Sequence, residues 1–277
     1  MNEAAPPAAG AKAGLSAAEL AARRKRLVIA LRLAVLVVVL GGWEIGAATG
    51  LIDPFFFGRP SGIAVKLYSW ITQGTAIGPL WLQVCVTMYE AILGFFIGAV
   101  LGVVCGIALG RNALLADIFS IYIKIGNSIP RIVLGSIFIV ALGLGTPSKV
   151  ALAVVMVFFV VFGNAFQGVL EADRAIIANA RILGASNWQV TRHVVVPSAL
   201  SWIMASLHVS FGFALIGAIV GEFLGASQGM GLLIATAQGT FDADGVFAAM
   251  IVIGVVALLA EALLTAIERR TAAWRLE

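Results

Sequence analysis

The amino-acid sequence predicts an all-α, polytopic membrane protein with six transmembrane helices, and three observations lead there. Of 277 residues, 61% are hydrophobic and 12% charged, more apolar surface than a soluble domain of this size could hide. The mean hydropathy of +1.05 makes lipid the solvent for much of the chain. The apolar runs are also long and continuous. In lipid every backbone N–H and C=O has to be satisfied internally, and unbroken runs suit helices rather than the alternating strands of a barrel.

The elements follow in order. Residues 1–26 form a tail and a basic juxtamembrane segment: 1–15, rich in Ala, Pro and Gly, are expected to be disordered. Ser16-Ala17-Ala18-Glu19 reads as a capping box opening a short helix that ends in Arg23-Arg24-Lys25-Arg26, suited to anionic lipid. Residues 27–80 hold a first span at 27–46 and a loop over 48–81. That span is long for the apolar core of a secretory signal and carries Trp43 and Glu44 near its end. The loop contains Asp53-Pro54, Arg59-Pro60 and a short helix bearing Lys66 and Trp70. Residues 81–270 form the core, with spans at 82–109, 117–142, 149–170, 199–221 and 246–267. Each is close to the roughly 20 residues that cross about 30 Å of hydrocarbon. A tail at 271–277 follows.

Basic residues set the orientation. Lys12, the 23–26 cluster, Arg111, Arg174, Arg181, Arg192, Arg269, Arg270 and Arg275 fall on one side, against Arg59, Lys66 and Lys149 on the other. Both termini and the 171–198 loop are therefore expected in the cytoplasm, with 48–81 and 225–245 outside. The 18 Lys and Arg against 14 Asp and Glu do not point to nucleic acid, because they are dispersed around the spans. Cys85 and Cys105 sit in apolar stretches with no second thiol or histidine pair nearby, so neither a zinc site nor a disulfide framework is expected. There is no Gly-x-x-x-x-Gly-Lys-Ser/Thr phosphate loop, no His-Glu-x-x-His and no Gly-x-Ser-x-Gly. The expectation is no enzyme activity, no metal and no cofactor bound by this chain.

The 171–198 loop is polar yet reads as helix, turn, helix. It holds Ala178-Asn179-Ala180-Arg181-Ile182-Leu183-Gly184-Ala185-Ser186 and, nine residues beyond Gly184, Val194-Val195-Val196-Pro197. Small Ala178, Ala180 and Ala185 let a helix seat closely in another protein's groove. Gly184 permits a turn at close approach, and Pro197 is expected to end the element before the next span. The pattern resembles the signature of bacterial ABC importer permeases: Glu-Ala-Ala, three residues, Gly, nine residues, Ile-x-Leu-Pro. The resemblance runs over roughly 80–270. Ile129-Pro130-Arg131-Ile132, Phe138 and Gly143-Leu144-Gly145 are similar to the third-span pattern of the nitrate, sulfonate and taurine group. Gly221-Glu222-Phe223-Leu224-Gly225-Ala226-Ser227 with Gly229-Met230-Gly231-Leu232 is similar to that group's stretch after the fifth span. Two positions depart from the pattern: Ala178 replaces the usual acid, with Glu171 or Asp173 as substitutes, and Ser136 stands where a second proline is frequent.

The resemblance implies a type I ABC importer permease fold in a bacterial inner membrane, working by alternating access. It implies cytoplasmic ATPase subunits carrying ATP and Mg, which grip a coupling helix formed by Ala178, Asn179, Ala180, Arg181, Gly184, Ala185 and Ser186, with Val194, Val196 and Pro197 completing the signature. It also implies a second permease copy, giving a homodimer, and an external or periplasmic solute-binding protein. Nitrate, sulfonates, taurine, aromatic acids and vitamin precursors all remain open as the solute.

Ionisable residues at membrane depth are the pathway candidates, since each costs about 2.5–3.5 kcal/mol at a helix centre unless it faces a cavity or partner. Lys124 and Arg131 lie two turns apart in the third span and are expected to share a face, with Asn127 and Ser128 between them. Two cations on one inward face favour an anion. The plain alternative has Lys124 snorkelling to the interface and Arg131 pairing with a carbonyl or acid. His208 and Glu222 complete the candidates. Gly94, Gly98, Gly102, Gly106 and Gly110 recur every fourth residue, a ridge for close helix packing. The competing reading is a carrier driven by an ion gradient with Glu90, His208 or Glu222 as proton site, which the lack of an internal repeat disfavours.

Overall fold

The structure, a computed structural model, describes residues 17–272; the expected disorder of 1–15, the Ser16 cap and the tail beyond 272 lie outside the described residues. The part up to Ser61 forms one compact unit and the part from Gly62 onward a second. In the first unit, α1 (Ala17–Ala48) contains an apolar stretch, Arg23–Ala48, long enough to cross a bilayer. The short α2 (Pro54–Phe57) starts at Asp53, whose carboxylate accepts from the Phe55 N–H at 2.9 Å. Glu44 closes the unit by accepting from the Ser61 N–H at 2.9 Å and its hydroxyl at 2.7 Å.

The helix α3 (Pro60–Thr72) buries Ile63 and Trp70. The second unit then contains α4 (Leu80–Gly110), α5 (Ala113–Ser128), α6 (Arg131–Leu142), α7 (Thr146–Leu170), α8 (Arg174–Ile182), α9 (Asn187–Val190), α10 (Val196–Leu224), α11 (Met230–Gly239) and α12 (Ala243–Ala272). With lipid outside, helices gain nothing hydrophobic by meeting, and close backbone approach through small residues takes over. The α4 glycine ridge lies against α7: a Cβ at Gly98, Gly102, Gly106 or Gly110 would stand within 2.9 Å of Val154, Val161, Ala165 or Val169 respectively. Gly217 of α10 also lies against α7, facing the Ala153 backbone. Ala91, Phe95, Val157, Val161, Phe211 and Ala214 fill the seam.

The six expected spans resolve into five continuous helices and one broken pair. The expected third span, 117–142, is the broken one. Pro130 has no N–H to give and forces Ile129 out of the helical region (φ −71°, ψ 127°). The chain bends by 87° between α5 and α6. Lys124 and Arg131 therefore sit on different helices, and the shared face expected from a continuous span does not form.

Pro197 also differs from expectation. It does not end the α8–α9 element but lies in the first turn of α10, with the chain helical from Asn187 to Leu224. A proline cannot bond to the carbonyl four residues back and clashes with it. The preceding turn, 191–195, accordingly widens to π geometry, with the Val196 N–H donating to the Thr191 carbonyl. Lys149 is a third difference. Counted from sequence among the outside charges, it is 1% exposed, its ammonium donating to the Leu144 carbonyl at 2.6 Å and to Ser148 Oγ at 3.2 Å.

Candidate functional site

Three places carry the chemistry. The first is the α8–α9 element. Asp173 caps α8, accepting from the Ala175 and Ile176 N–H groups at 2.7 and 3.4 Å, while Glu171 accepts from Gln167 Nε2 at 3.2 Å. Neither acid is left to stand in simply for the missing one at Ala178. The helix closes in a left-handed turn at Gly184 (φ +85°), with the Ala185 N–H donating to the Ala180 carbonyl at 3.0 Å. A Cβ on Gly184 would meet nothing within 4 Å in this chain, so the turn's φ, rather than a tight internal contact, requires glycine here. Ser186 opens α9 in a capping box with Gln189. Ala180 and Ala185 pack on a cluster of Ala165, Val169, Val190 and Val195, which anchors the element to α7 and α10.

The faces left open are Ala178, Asn179, Arg181 and Pro197, with Val194 and Val196 half-buried. Sequence reasoning missed the exposed apolar crest around Gly184: Ile182 is 83%, Leu183 86% and Trp188 66% exposed. The signal was present as two large aliphatics immediately before the turn glycine and a tryptophan shortly after it. Large apolar side chains left solvent-facing on an anchored turn are the kind of patch that marks an interaction surface.

The second place is the α5–α6 break. Arg131 opens α6, donates through Nη2 to Asn127 Oδ1 at 2.7 Å across the break, and sits over the Phe159 ring at 5.2 Å. Asn127 and Arg131 are thus brought together. Ser128 donates to the Lys124 carbonyl at 2.9 Å, and the Lys124 side chain stays exposed on α5. His208 is elsewhere, facing Glu261 of α12 at 3.4 Å.

The third place lies at the opposite end of α7 and α10 from α8 and α9. Glu222, 0% exposed, accepts from Thr87 Oγ1 at 2.7 and 3.0 Å and from the Gly231 N–H at 2.7 Å. Thr87 Oγ1 in turn accepts from the Met230 N–H at 2.9 Å, and Gln83 Oε1 from the Gly229 N–H at 2.7 Å. The free donors at the start of α11 are thereby capped by side chains of α4 and α10 instead of water. Glu90 and Lys149 stand beside this network. Gln83, Thr87 and Lys149 were missed from sequence: two are ordinary polar residues in an apolar helix, and the third looked like a loop charge. Neither conserved spacing nor motif marks them within one chain.

The chain matches the family model for the binding-protein-dependent transport system inner membrane component over residues 98–273. It is 28% identical over 238 residues to the putative aliphatic sulfonates transport permease of Bacillus subtilis, covering 86% of this chain and 85% of that one. It is also 28% identical to the taurine transport system permease of Escherichia coli, with coverages of 89% and 90%, and to the riboflavin transport system permease of Chloroflexus aurantiacus, with coverages of 86% and 88%. The fold is shared with a chain of the MetNI methionine ABC transporter in inward-facing form: TM-score 0.55, 21% identity, 68% of this chain and 96% of that one. These relatives are transport permeases, not enzymes. The exposed crest, the broken span and the family match converge on one identity: this chain belongs to the binding-protein-dependent transport system inner membrane components, as a multi-pass permease subunit of an ABC importer.

Proposed function

We propose that this permease moves a small organic anion, a sulfonate in the first instance, into the cytoplasm. Two copies pair as a homodimer with two ATPases, which hold the ATP and Mg, and a solute-binding protein delivers the cargo from outside. Both termini and the α8–α9 element face the cytoplasm, where the Ile182, Leu183 and Trp188 crest seats in the ATPase. ATP closure of the ATPase pair draws the two crests together, and the anchored α7–α10 core carries that movement to the pathway.

The observation that carries the solute class is Arg131 at the α5–α6 break. There α6 starts without a side-chain cap, and the positive end of its dipole lies beside the guanidinium. A broken helix at membrane depth is tolerated where protein or a water-filled cavity re-satisfies it. The names of the sulfonate and taurine relatives support the same chemistry, since both cargoes carry a sulfonate. Membership of an ATP-driven family leaves no need for the gradient-driven reading.

Uptake by Arg131→Gln in the assembled complex is expected to fall by about tenfold or more, the scale of one charge-assisted contact, while Arg131→Lys keeps part of it because charge survives without the planar fork. Thermal stability measured on the same variants separates this role from a packing one. Full uptake by a stable Arg131→Gln complex removes Arg131 from the pathway.

A further inference from the structure

One cation of α1 has no part in transport as described so far. The basic residues 23–26 do not end a short helix: α1 runs unbroken from Ala17 to Ala48 and carries them straight into the apolar run, with Arg32 inside it. Every residue from Arg23 to Leu40 is exposed, so this stretch of α1 faces lipid. Counting back about 20 residues, or about 30 Å, from Trp43 and Glu44 places 23–26 at the headgroups and Arg32 about 9–12 Å deeper. An arginine there is costly unless a partner is within reach. No acid of α1 is: Glu19 and Glu44 lie thirteen and twelve positions away, about 18–20 Å along the axis. Glu44 is taken up by Ser61, and Asp53 by the start of α2.

Side chains on a helix lean toward its N-terminus, which at Arg32 is the direction of the headgroups, and a long basic side chain follows that lean out toward water. Lys25 stands seven positions before Arg32, about 10.5 Å along the axis and within about 20° of the same direction. The two cations thus occupy one face at two depths, with Val28 and Ile29, 38% and 47% exposed, between them. We propose that Lys25 and Arg32 clamp the phosphate of one anionic phospholipid, in the leaflet at the α1 N-terminus, the cytoplasmic one in the orientation proposed above. The guanidinium fork matches phosphate oxygens bidentately, and the ammonium adds a point charge. The apolar turns around the clamp suit the acyl chains of a lipid, which a free phosphate does not have. Five cations and no acid stand between Arg23 and Arg32. That field repels the ammonium of a zwitterionic headgroup and selects a net anion.

The test uses the permease–ATPase complex in nonionic detergent, titrated with phosphatidylglycerol or with phosphatidylcholine of the same acyl chains, the bound lipid being counted by native mass spectrometry. Saturable binding of one phosphatidylglycerol per permease copy is expected, with phosphatidylcholine at least about tenfold weaker. Arg32→Gln and Lys25→Gln are each expected to weaken phosphatidylglycerol about tenfold or more, and Arg32→Lys less, because charge survives without the fork. Arg23 lies nine positions from Arg32, on the opposite face of α1. Arg23→Gln removes the same charge and is expected to bind nearly as wild type. Equal losses in Arg23→Gln and Arg32→Gln would show a diffuse basic field in place of a clamp and overturn the assignment. Equal affinity for the two lipids, no saturable lipid on the wild type, or release of phosphatidylglycerol by inorganic phosphate overturns it as well. The other occupant open to Arg32 is an acid of a neighbouring subunit. In that case Arg32→Gln lowers the yield or the melting temperature of the complex in phosphatidylcholine nanodiscs, where the clamp predicts no loss, and such a drop also overturns the lipid assignment.

Discussion

A carboxylate away from water has to find donors within the protein, and Glu222 finds them 135 positions away in Thr87 and nine away in Gly231. Its position near the end of an apolar run could be read from the sequence; its partners could not, because nothing local pairs α4 with the start of α11. Glu222→Ala strips the Gly231 N–H of its acceptor and leaves the Thr87 hydroxyl only the Gln83 carbonyl at 3.1 Å. Each buried group left unpaired costs about 1–3 kcal/mol. The purified protein is expected to melt several degrees lower in a thermal unfolding assay, with Thr87→Val showing a smaller loss and Thr87→Ser almost none. Equal melting of Glu222→Ala and wild type would show that the α11 cap contributes nothing. Gly184 teaches the complementary lesson. The sequence marks the glycine, and the structure gives its reason as a left-handed turn in open surroundings. Asparagine tolerates that conformation, whereas alanine meets a penalty of about 1–2 kcal/mol. Gly184→Asn is therefore expected to couple ATP hydrolysis to uptake nearly normally. Gly184→Trp is expected to hydrolyse ATP without transport, because its bulk stands on the exposed crest. Normal uptake by assembled Gly184→Trp would remove the turn from the ATPase interface.

Helices of this protein were legible wherever an apolar run and its period agreed, and misread where one strong local signal interrupted a run. The α4 ridge is the clear case of agreement: glycines at every fourth position come together on one face, and α7 lies against it. Gly98→Leu and Gly102→Leu place side-chain atoms where the α7 backbone already is. Overpacking of this kind costs about 1–3 kcal/mol even where neighbours can move, and a helix backbone moves little. Both variants are expected to be poorly recovered from membranes, while Gly163→Ala, with nothing within 4 Å of its added Cβ, is recovered as wild type. Recovery of folded Gly98→Leu at wild-type level would mean the α4–α7 seam is looser than drawn. Pro130 is the case of disagreement. The apolar composition of 117–142 reads as one span, yet the proline sets a bend of 87° inside it, and hydropathy averages over that bend.

For the whole molecule, orientation depends on where charges stop the chain from crossing. Ser227 and Asn187 are both exposed, at opposite ends of the α10 segment. With the exposed Cys85 and the half-buried Cys105 replaced, Ser227→Cys is expected to react with a membrane-impermeant maleimide in intact cells, and Asn187→Cys only after permeabilisation. The reverse pattern would invert the proposed topology. What the sequence determined by itself was the solvent, the number of apolar runs and the family signature, because each is written in contiguous residues: apolar length, glycine spacing, and the 178–197 pattern. Only the tertiary structure decided the fate of individual charges. Lys149 left the outside surface for the interior, Glu222 became a helix cap, Glu90 was buried against Thr146 and Glu222, and Arg131 parted from Lys124. The physical reason is common to all four. A charge in lipid takes its energy from whichever distant groups the fold brings within about 3 Å, and that distance is set by packing between helices, not by order along the chain.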